Sequence, residues 1–84
     1  MYYVYVLQSQ RDKKLYTGCS SNLVERIKLH NSGKVVATRN RIPLRLIYYE
    51  TFIDKHDAFQ REQWLKTGWG RNQLRKILTE TLKN

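Results

Sequence analysis

A chain of 84 residues has room for one domain with one modest core, spanning residues 1–84, and none for a separate targeting module. Its 16 Lys and Arg against 7 Asp and Glu give a formal charge of +9, far more than solubility requires, so a polyanionic partner is implied: nucleic acid first, an anionic membrane surface second. A spanning helix is excluded because no apolar run approaches roughly 20 residues, a secretory leader because Met1 runs straight into strand-like residues, and an internal disulfide or structural zinc site because Cys19 is the one cysteine; a reducing cytoplasm is the expected compartment.

Tyr2 to Leu7 is rich in aromatic and β-branched residues with little polar alternation, which predicts a strand from Tyr2 to Gln8, covered on both faces and central in a small sheet. Ser9 to Lys13 is a polar connection of hairpin length, and Lys14 to Cys19 returns as the second strand. Period two puts Tyr3 and Tyr5 on one face of the first strand, and Tyr16 and Gly18 on one face of the second. Whether those faces coincide depends on register. A helix then starts at a cap of Ser21 or Asn22, with Glu25 in its first turn and Gly33 placed to end it. On a helical wheel Leu23, Val24 and Ile27 form its buried stripe, and Arg26 and His30 lie one turn apart along an edge of that stripe.

Lys34 to Arg41 has no usable period and reads as a basic loop carrying Thr38 and Asn40. Pro43 stops any local helix and opens a third strand within Leu44 to Phe52, built on Leu46, Ile47, Tyr48 and Tyr49. Asp54 caps a second helix, with Asp57 at its positive end, running to about Thr67 and stopping at Gly68-Trp69-Gly70. A last helix is expected from near Arg71 to about Leu82, with Leu74, Ile77, Leu78 and Leu82 inward. The fold class is therefore α/β, a small three-stranded and largely antiparallel sheet flanked by helices.

Glu62 is the most informative residue of the second half, because the wheel sets it on one stripe with Ala58, Leu65 and Trp69, beside Phe59. A carboxylate in an apolar stripe is either paired with a lysine or arginine, or a metal ligand: Mg²⁺ is commonly held by one or two carboxylates together with phosphate oxygens and waters. Glu50, on the third strand, is the other plausible ligand. One convincing carboxylate argues against two-metal catalysis, which needs several bridging acids. Tyr2, Tyr48 and Tyr49 read as ordinary strand packing, whereas Tyr5 and Tyr16 precede a helix that could lend them charge from Arg26 and His30; a phenol titrates near 10 and needs such help to act as a base. Lys34, Arg39, Arg41 and Arg45, with Arg71, suit phosphate positioning and carry no evident base-reading arrangement.

Tyr3-Val4-Tyr5, then Tyr16-Thr17-Gly18, then Asn22-Leu23, Arg26 and the His30-to-Gly33 run resemble the paired motifs of the GIY-YIG nuclease superfamily, over nearly the whole chain. The chain looks like a small stand-alone relative of the catalytic domains of excision-repair and homing endonucleases. The resemblance implies that Tyr16 activates water, Tyr5 orients water or phosphate, Arg26 stabilises the transition state, His30 assists, and Glu62, in a matching stretch over residues 58–66, holds one divalent ion, Mg²⁺ or Mn²⁺. It also departs in places: Tyr3 stands where the first motif has glycine, Cys19 where some members carry a lysine, and Asn72 is the candidate for a late asparagine. The function expected is metal-dependent hydrolysis of DNA phosphodiesters, structure- rather than sequence-selective, with RNA an open alternative substrate and no membrane partner. The alternative class is a non-catalytic nucleic-acid-binding module, or a basic interaction domain that depends on a partner for activity.

Overall fold

The computed structural model describes residues 1–83. In chain order, β1 (Tyr2–Ser9), β2 (Leu15–Ser20), α1 (Leu23–Asn31), β3 (Leu44–Phe52), α2 (Lys55–Leu65) and α3 (Gly68–Ile77) are followed by a short 3₁₀ turn at Thr81–Lys83. The sheet order is β2-β1-β3 and both pairings are antiparallel. The strand made almost wholly of apolar residues is thus the central one, as its lack of alternation predicts, and Val4 to Ser9 are all buried or nearly so. Among the described residues no helix is long and apolar enough to cross a membrane.

Two cores lie on opposite faces of the sheet. On one, Tyr5, Leu7 and Leu44 pack with Tyr16, Leu23, Ile27, Ile42 and Leu46, so this face is covered by α1. On the other, Val4 and Val6 pack against Ala58, Leu65, Leu74 and Leu78 of the α2–α3 layer. Burying each Val or Leu contributes about 1.5–3 kcal/mol. One register shift lies between Val6 and Leu7, where Val6 opposes Tyr48 and Leu7 opposes Leu46. Ile47 is the extra residue of this bulge, and the shift lets both Ile47 and Tyr48 pack on the α2–α3 side.

Local chemistry explains the helix ends. Asn22 caps α1 by accepting from Glu25 N, and Asp54 caps α2 by accepting from the amides of His56 and Asp57. After α1, Gly33 adopts φ 79°, with its N–H donating to His30 O and that of Lys34 to Leu29 O. That pair of bonds is a Schellman ending, which needs a left-handed residue at this point.

The expected break at Gly68-Trp69-Gly70 is instead the first turn of α3, which starts at Gly68 rather than Arg71 and ends at Ile77 rather than Leu82. Thr67 serves both neighbouring helices: its hydroxyl oxygen accepts from Gly70 N at 3.2 Å, while the hydroxyl donates to Trp64 O at 2.6 Å. A Cβ at Gly70 would overlap the Trp64 carbonyl and the Leu65 backbone, so this glycine permits a close approach of α3 to the end of α2 instead of stopping a helix. The same packing turns Trp69 outward at 77% exposure, off the Glu62 stripe, and leaves Ile77 half exposed. On α1, Leu23, Ile27 and His30 face the sheet, so Val24, expected in the stripe, is 66% exposed.

Candidate active site

Register brings the tyrosines together. Tyr5 opposes Gly18 and Leu7 opposes Tyr16, so the chosen faces of β1 and β2 coincide on the side covered by α1. Glycine at 18 leaves the space that the Tyr5 ring fills, since a Cβ there would overlap the phenol's Oη and Cζ. Tyr5 is 1% exposed, whereas Tyr16 is only half-buried.

His30, the one buried residue of α1, stands against both tyrosines. Its ring meets that of Tyr5 edge-on at 5.8 Å and that of Tyr16 at 5.1 Å between centroids. Nε2 is 2.9 Å from Tyr5 Oη, and Nδ1 is 2.7 Å from Thr38 Oγ1. His30 thereby links Tyr5 and Thr38 in one buried hydrogen-bonded chain, in which the neutral imidazole donates from one ring nitrogen and accepts at the other. Thr38 was legible only as a polar residue in a basic loop. Turns closed by Thr38 N to Val35 O and by Arg41 N to Thr38 O fold that loop back, and Thr38 becomes fully buried. No periodicity in residues 34–41 could have signalled this. Asn31 is a second residue whose role emerges only in three dimensions: its amide donates to Leu44 O at 2.9 Å and accepts from Leu44 N at 2.7 Å, fastening the end of α1 to the start of β3.

Burial pushes the Tyr5 phenol above its ordinary range; the nearby Arg26 guanidinium pulls the other way, while Tyr16 and Glu62 add to the rise. His30 is held below its usual 6.5, first by burial and then by the charge of Arg26. Arg26 itself has a buried Nε with no hydrogen-bond partner among the described residues, an unsatisfied donor close enough for the guanidinium to act on Tyr5 and His30. The depressed His30 makes folding depend on pH: the unfolded chain binds the imidazole proton more readily, so the His30 contribution is complete above about pH 6.5 and is lost as pH falls through the lower folded value. Urea midpoints measured between about pH 5 and pH 8 are expected to decline on the acid side in the wild type but not in His30→Gln. Equal pH profiles for the two proteins would refute this.

Glu62 comes from the other side. It is 9% exposed, on α2, and borders a cleft of about 450 Å³ with Cys19, Ser20, Lys55 and Phe59 at the end of β2. Its carboxylate accepts from Lys66 Nζ at 3.1 Å, and its charge is felt at both Tyr5 and Cys19. Tyr5, Tyr16 and His30 are thus gathered on the α1 face with Arg26 beside Tyr5, and Glu62, on α2, is near enough for its charge to act on Tyr5. Glu50 is otherwise engaged: Arg61 donates to both its oxygens at 2.8 and 2.9 Å, and Tyr48 Oη donates at 2.6 Å. Among the described residues no group of three or more His, Cys, Asp or Glu could enclose a metal. Glu62 could therefore hold a hard divalent ion only with waters and substrate oxygens completing the shell, a donor set that suits Mg²⁺.

The candidate phosphate ligands are dispersed. Lys34, Arg39 and Arg45 are exposed in the chain's middle segment, while Arg71 is exposed on α3. Arg41 is less free, because its Nε donates to Asp12 at 3.1 Å, tying the loop to the β1–β2 turn. Asn72 is exposed on α3.

A three-stranded sheet with one tyrosine on each of two paired strands, backed by a helix bearing arginine and histidine and faced by a second helix bearing a buried glutamate, has the layout of a GIY-YIG catalytic domain. The GIY-YIG catalytic domain matches residues 1–75. A UPF0213 protein of Clostridium perfringens is 40% identical over 84 residues, covering 99% of this chain and 89% of its own; one from Bacillus licheniformis is 43% identical over 77 residues, covering 90% and 78%. The solution NMR structure of a UPF0213 protein from Bacillus halodurans superposes with a TM-score of 0.57 at 36% identity, over 92% of this chain and 85% of that one. The chain belongs to the GIY-YIG family and, within it, to the UPF0213 proteins. Nuclease activity on nucleic acid is the general character of that family.

Proposed function

We propose that this protein is a DNA endonuclease that hydrolyses phosphodiesters by a one-metal mechanism and selects its substrate by structure. The observation that carries the reading is the buried Tyr5–His30–Thr38 chain, with bonds of 2.9 and 2.7 Å, set beside the more accessible Tyr16 and the unsatisfied Arg26. Exposure divides the labour between the phenols. Tyr5 is sealed and its hydroxyl is committed to His30, so it holds the imidazole edge against Tyr16; Tyr16 is the phenol that solvent can reach.

In this reading a water beside Tyr16 passes a proton to the ionised phenol oxygen while its own oxygen attacks phosphorus; the P–O bond opposite breaks, and the departing oxygen takes a proton from solvent. Arg26 stabilises the negative charge that gathers on the non-bridging oxygens, with a guanidinium that has an Nε–H unpaired in the folded protein. Glu62 would hold Mg²⁺ or Mn²⁺, which when bound supplies positive charge to the phosphate oxygens. No part of the chain reads as a base-reading element that enters a groove, and the +9 charge makes affinity chiefly a matter of phosphate neutralisation. Substrate choice then falls to backbone deformability, which favours branched or frayed DNA over intact duplex.

The test is cleavage of single-stranded, duplex, flapped and branched DNA, each in several unrelated sequences, with and without Mg²⁺ or Mn²⁺. Metal-dependent cutting that varies with geometry more than with sequence is expected. Salt-sensitive binding to all of them with no cutting would leave a non-catalytic binding module, and dependence on sequence alone would overturn the account of selectivity.

A further inference from the structure

On the α2–α3 face, a cleft of about 410 Å³ opens between β2 and α3, lined at its rim by Lys14, Lys66, Arg71 and Arg75. Among the described residues no acidic side chain lines it, and the carboxylate of Glu62, which touches the rim at Lys66, is taken up by that lysine. The bland account is that these are solvated surface cations, with Lys14 guarding an edge strand against unwanted pairing. Two features argue against it. Lys14, Arg71 and Arg75, from two separate segments, converge beside the Glu62-paired Lys66 on a single concavity, which focuses their field. The floor beneath them is also apolar, formed by Leu15, Leu65 and Leu74. A volume within the roughly 300–1,000 Å³ usual for small-ligand sites, with an apolar floor and a cationic rim, matches a nucleotide: a flat base below and phosphates above.

The cleft shares strand β2 with the candidate active site. Tyr16 and Thr17 line it, while the Tyr16 ring packs on the opposite, α1 face, so the cleft runs along the outer edge of β2, behind the strand that carries that phenol; this edge has no strand partner among the described residues. We infer that it takes one unpaired nucleotide of the substrate strand, with the base lodged on the apolar floor and its flanking phosphates held by Lys14, Arg71 and Arg75. A base within duplex is stacked on both faces and cannot enter, so the cleft selects for single-stranded or flapped DNA. This inference rests on the nuclease reading for its place in catalysis, but its binding signature does not require cleavage.

The experiment is fluorescence anisotropy on the whole, metal-free protein, using a short oligothymidine and an abasic oligomer of equal length as probes over a range of salt. Oligothymidine is expected to bind about tenfold more tightly than the abasic strand, the scale of burying part of one base's apolar surface on an aliphatic floor. Arg71→Ala/Arg75→Ala should lower the log–log salt slope for oligothymidine by roughly 1.4, two single-strand phosphate contacts, while Lys28→Ala/Lys76→Ala, charge-matched but outside the cleft, should not. Circular dichroism melting keeps loss of folding separate from loss of binding. Equal affinity for the two probes, or an unchanged slope in the Arg71/Arg75 variant, would overturn the assignment; so would anionic vesicles outcompeting oligothymidine for the wild type only. If this signature appears with no cleavage of any substrate, the nuclease reading fails and the cleft stands. If cleavage occurs with no such signature, the nuclease reading stands and the cleft assignment fails.

Discussion

Glu62→Gln is expected to abolish metal-dependent cleavage, by at least about 10²-fold and down to background if the ion is lost altogether, while folding and DNA affinity stay nearly as they were. The amide keeps the size of the carboxylate and removes its charge, so a divalent ion loses the one acid positioned to hold it. The structural cost is small for a reason specific to this site. The partner that Glu62 leaves behind is Lys66, whose side chain is 43% exposed, so its ammonium regains water instead of being stranded. A pair with one solvated end contributes on the order of 1 kcal/mol or less. Arg61→Ala provides the contrast from the adjacent residue: it would strip Glu50 of a two-pronged partner and act on stability. Single-turnover cleavage and urea midpoints measured side by side decide the matter. Full activity in Glu62→Gln would remove the metal assignment, and a large loss of stability would mean that Glu62 is a structural acid.

Tyr16→Phe is expected to lower turnover by roughly 10²- to 10⁴-fold, the usual contribution of a general base, with DNA affinity unchanged. The substitution takes away only the phenol oxygen, and the ring that packs at 5.1 Å against His30 remains. Tyr5→Phe differs in kind. It removes the hydrogen-bond partner of His30 Nε2 and leaves a buried imidazole nitrogen unpaired, costing about 1–3 kcal/mol of stability, and it is expected to lower activity by loosening His30. The two variants are therefore distinguished by thermal unfolding before any rate is measured. If Tyr16→Phe cleaves at the wild-type rate, the base is Tyr5, His30 or hydroxide from solvent.

Much of the architecture is written in local patterns. The near-continuous apolar run of Tyr2 to Leu7 made β1 central, because only a strand covered on both faces can dispense with polar alternation. Asn22, Asp54 and Gly33 marked helix ends since their side chains, or the lack of one, answer a purely local need of the backbone. The 3.6-residue repeat likewise set Glu62 beside Ala58 and Leu65, and all three are buried.

Other features were decided elsewhere in the chain. Gly68 and Gly70 carry a helix breaker's composition, yet both lie in the first turn of α3, and at Gly70 the end of α2 presses where a Cβ would be, a demand no window of neighbouring residues contains. Val24 and Leu23 are equivalent by composition, and only the angle at which α1 meets the sheet buries one and exposes the other. The union of Tyr5 with Tyr16 waited on register, which two strands and a polar turn leave open. Thr38 closes the hydrogen-bond chain from Tyr5 through His30, although it lies eight residues beyond the histidine in a stretch with no period at all. The sequence by itself determined which side chains could do chemistry and which elements would carry them; the tertiary structure alone decided which of them meet, because hydrogen bonds, shape and charge act between surfaces that are distant in the chain and come together only when the sheet and its two helical layers close.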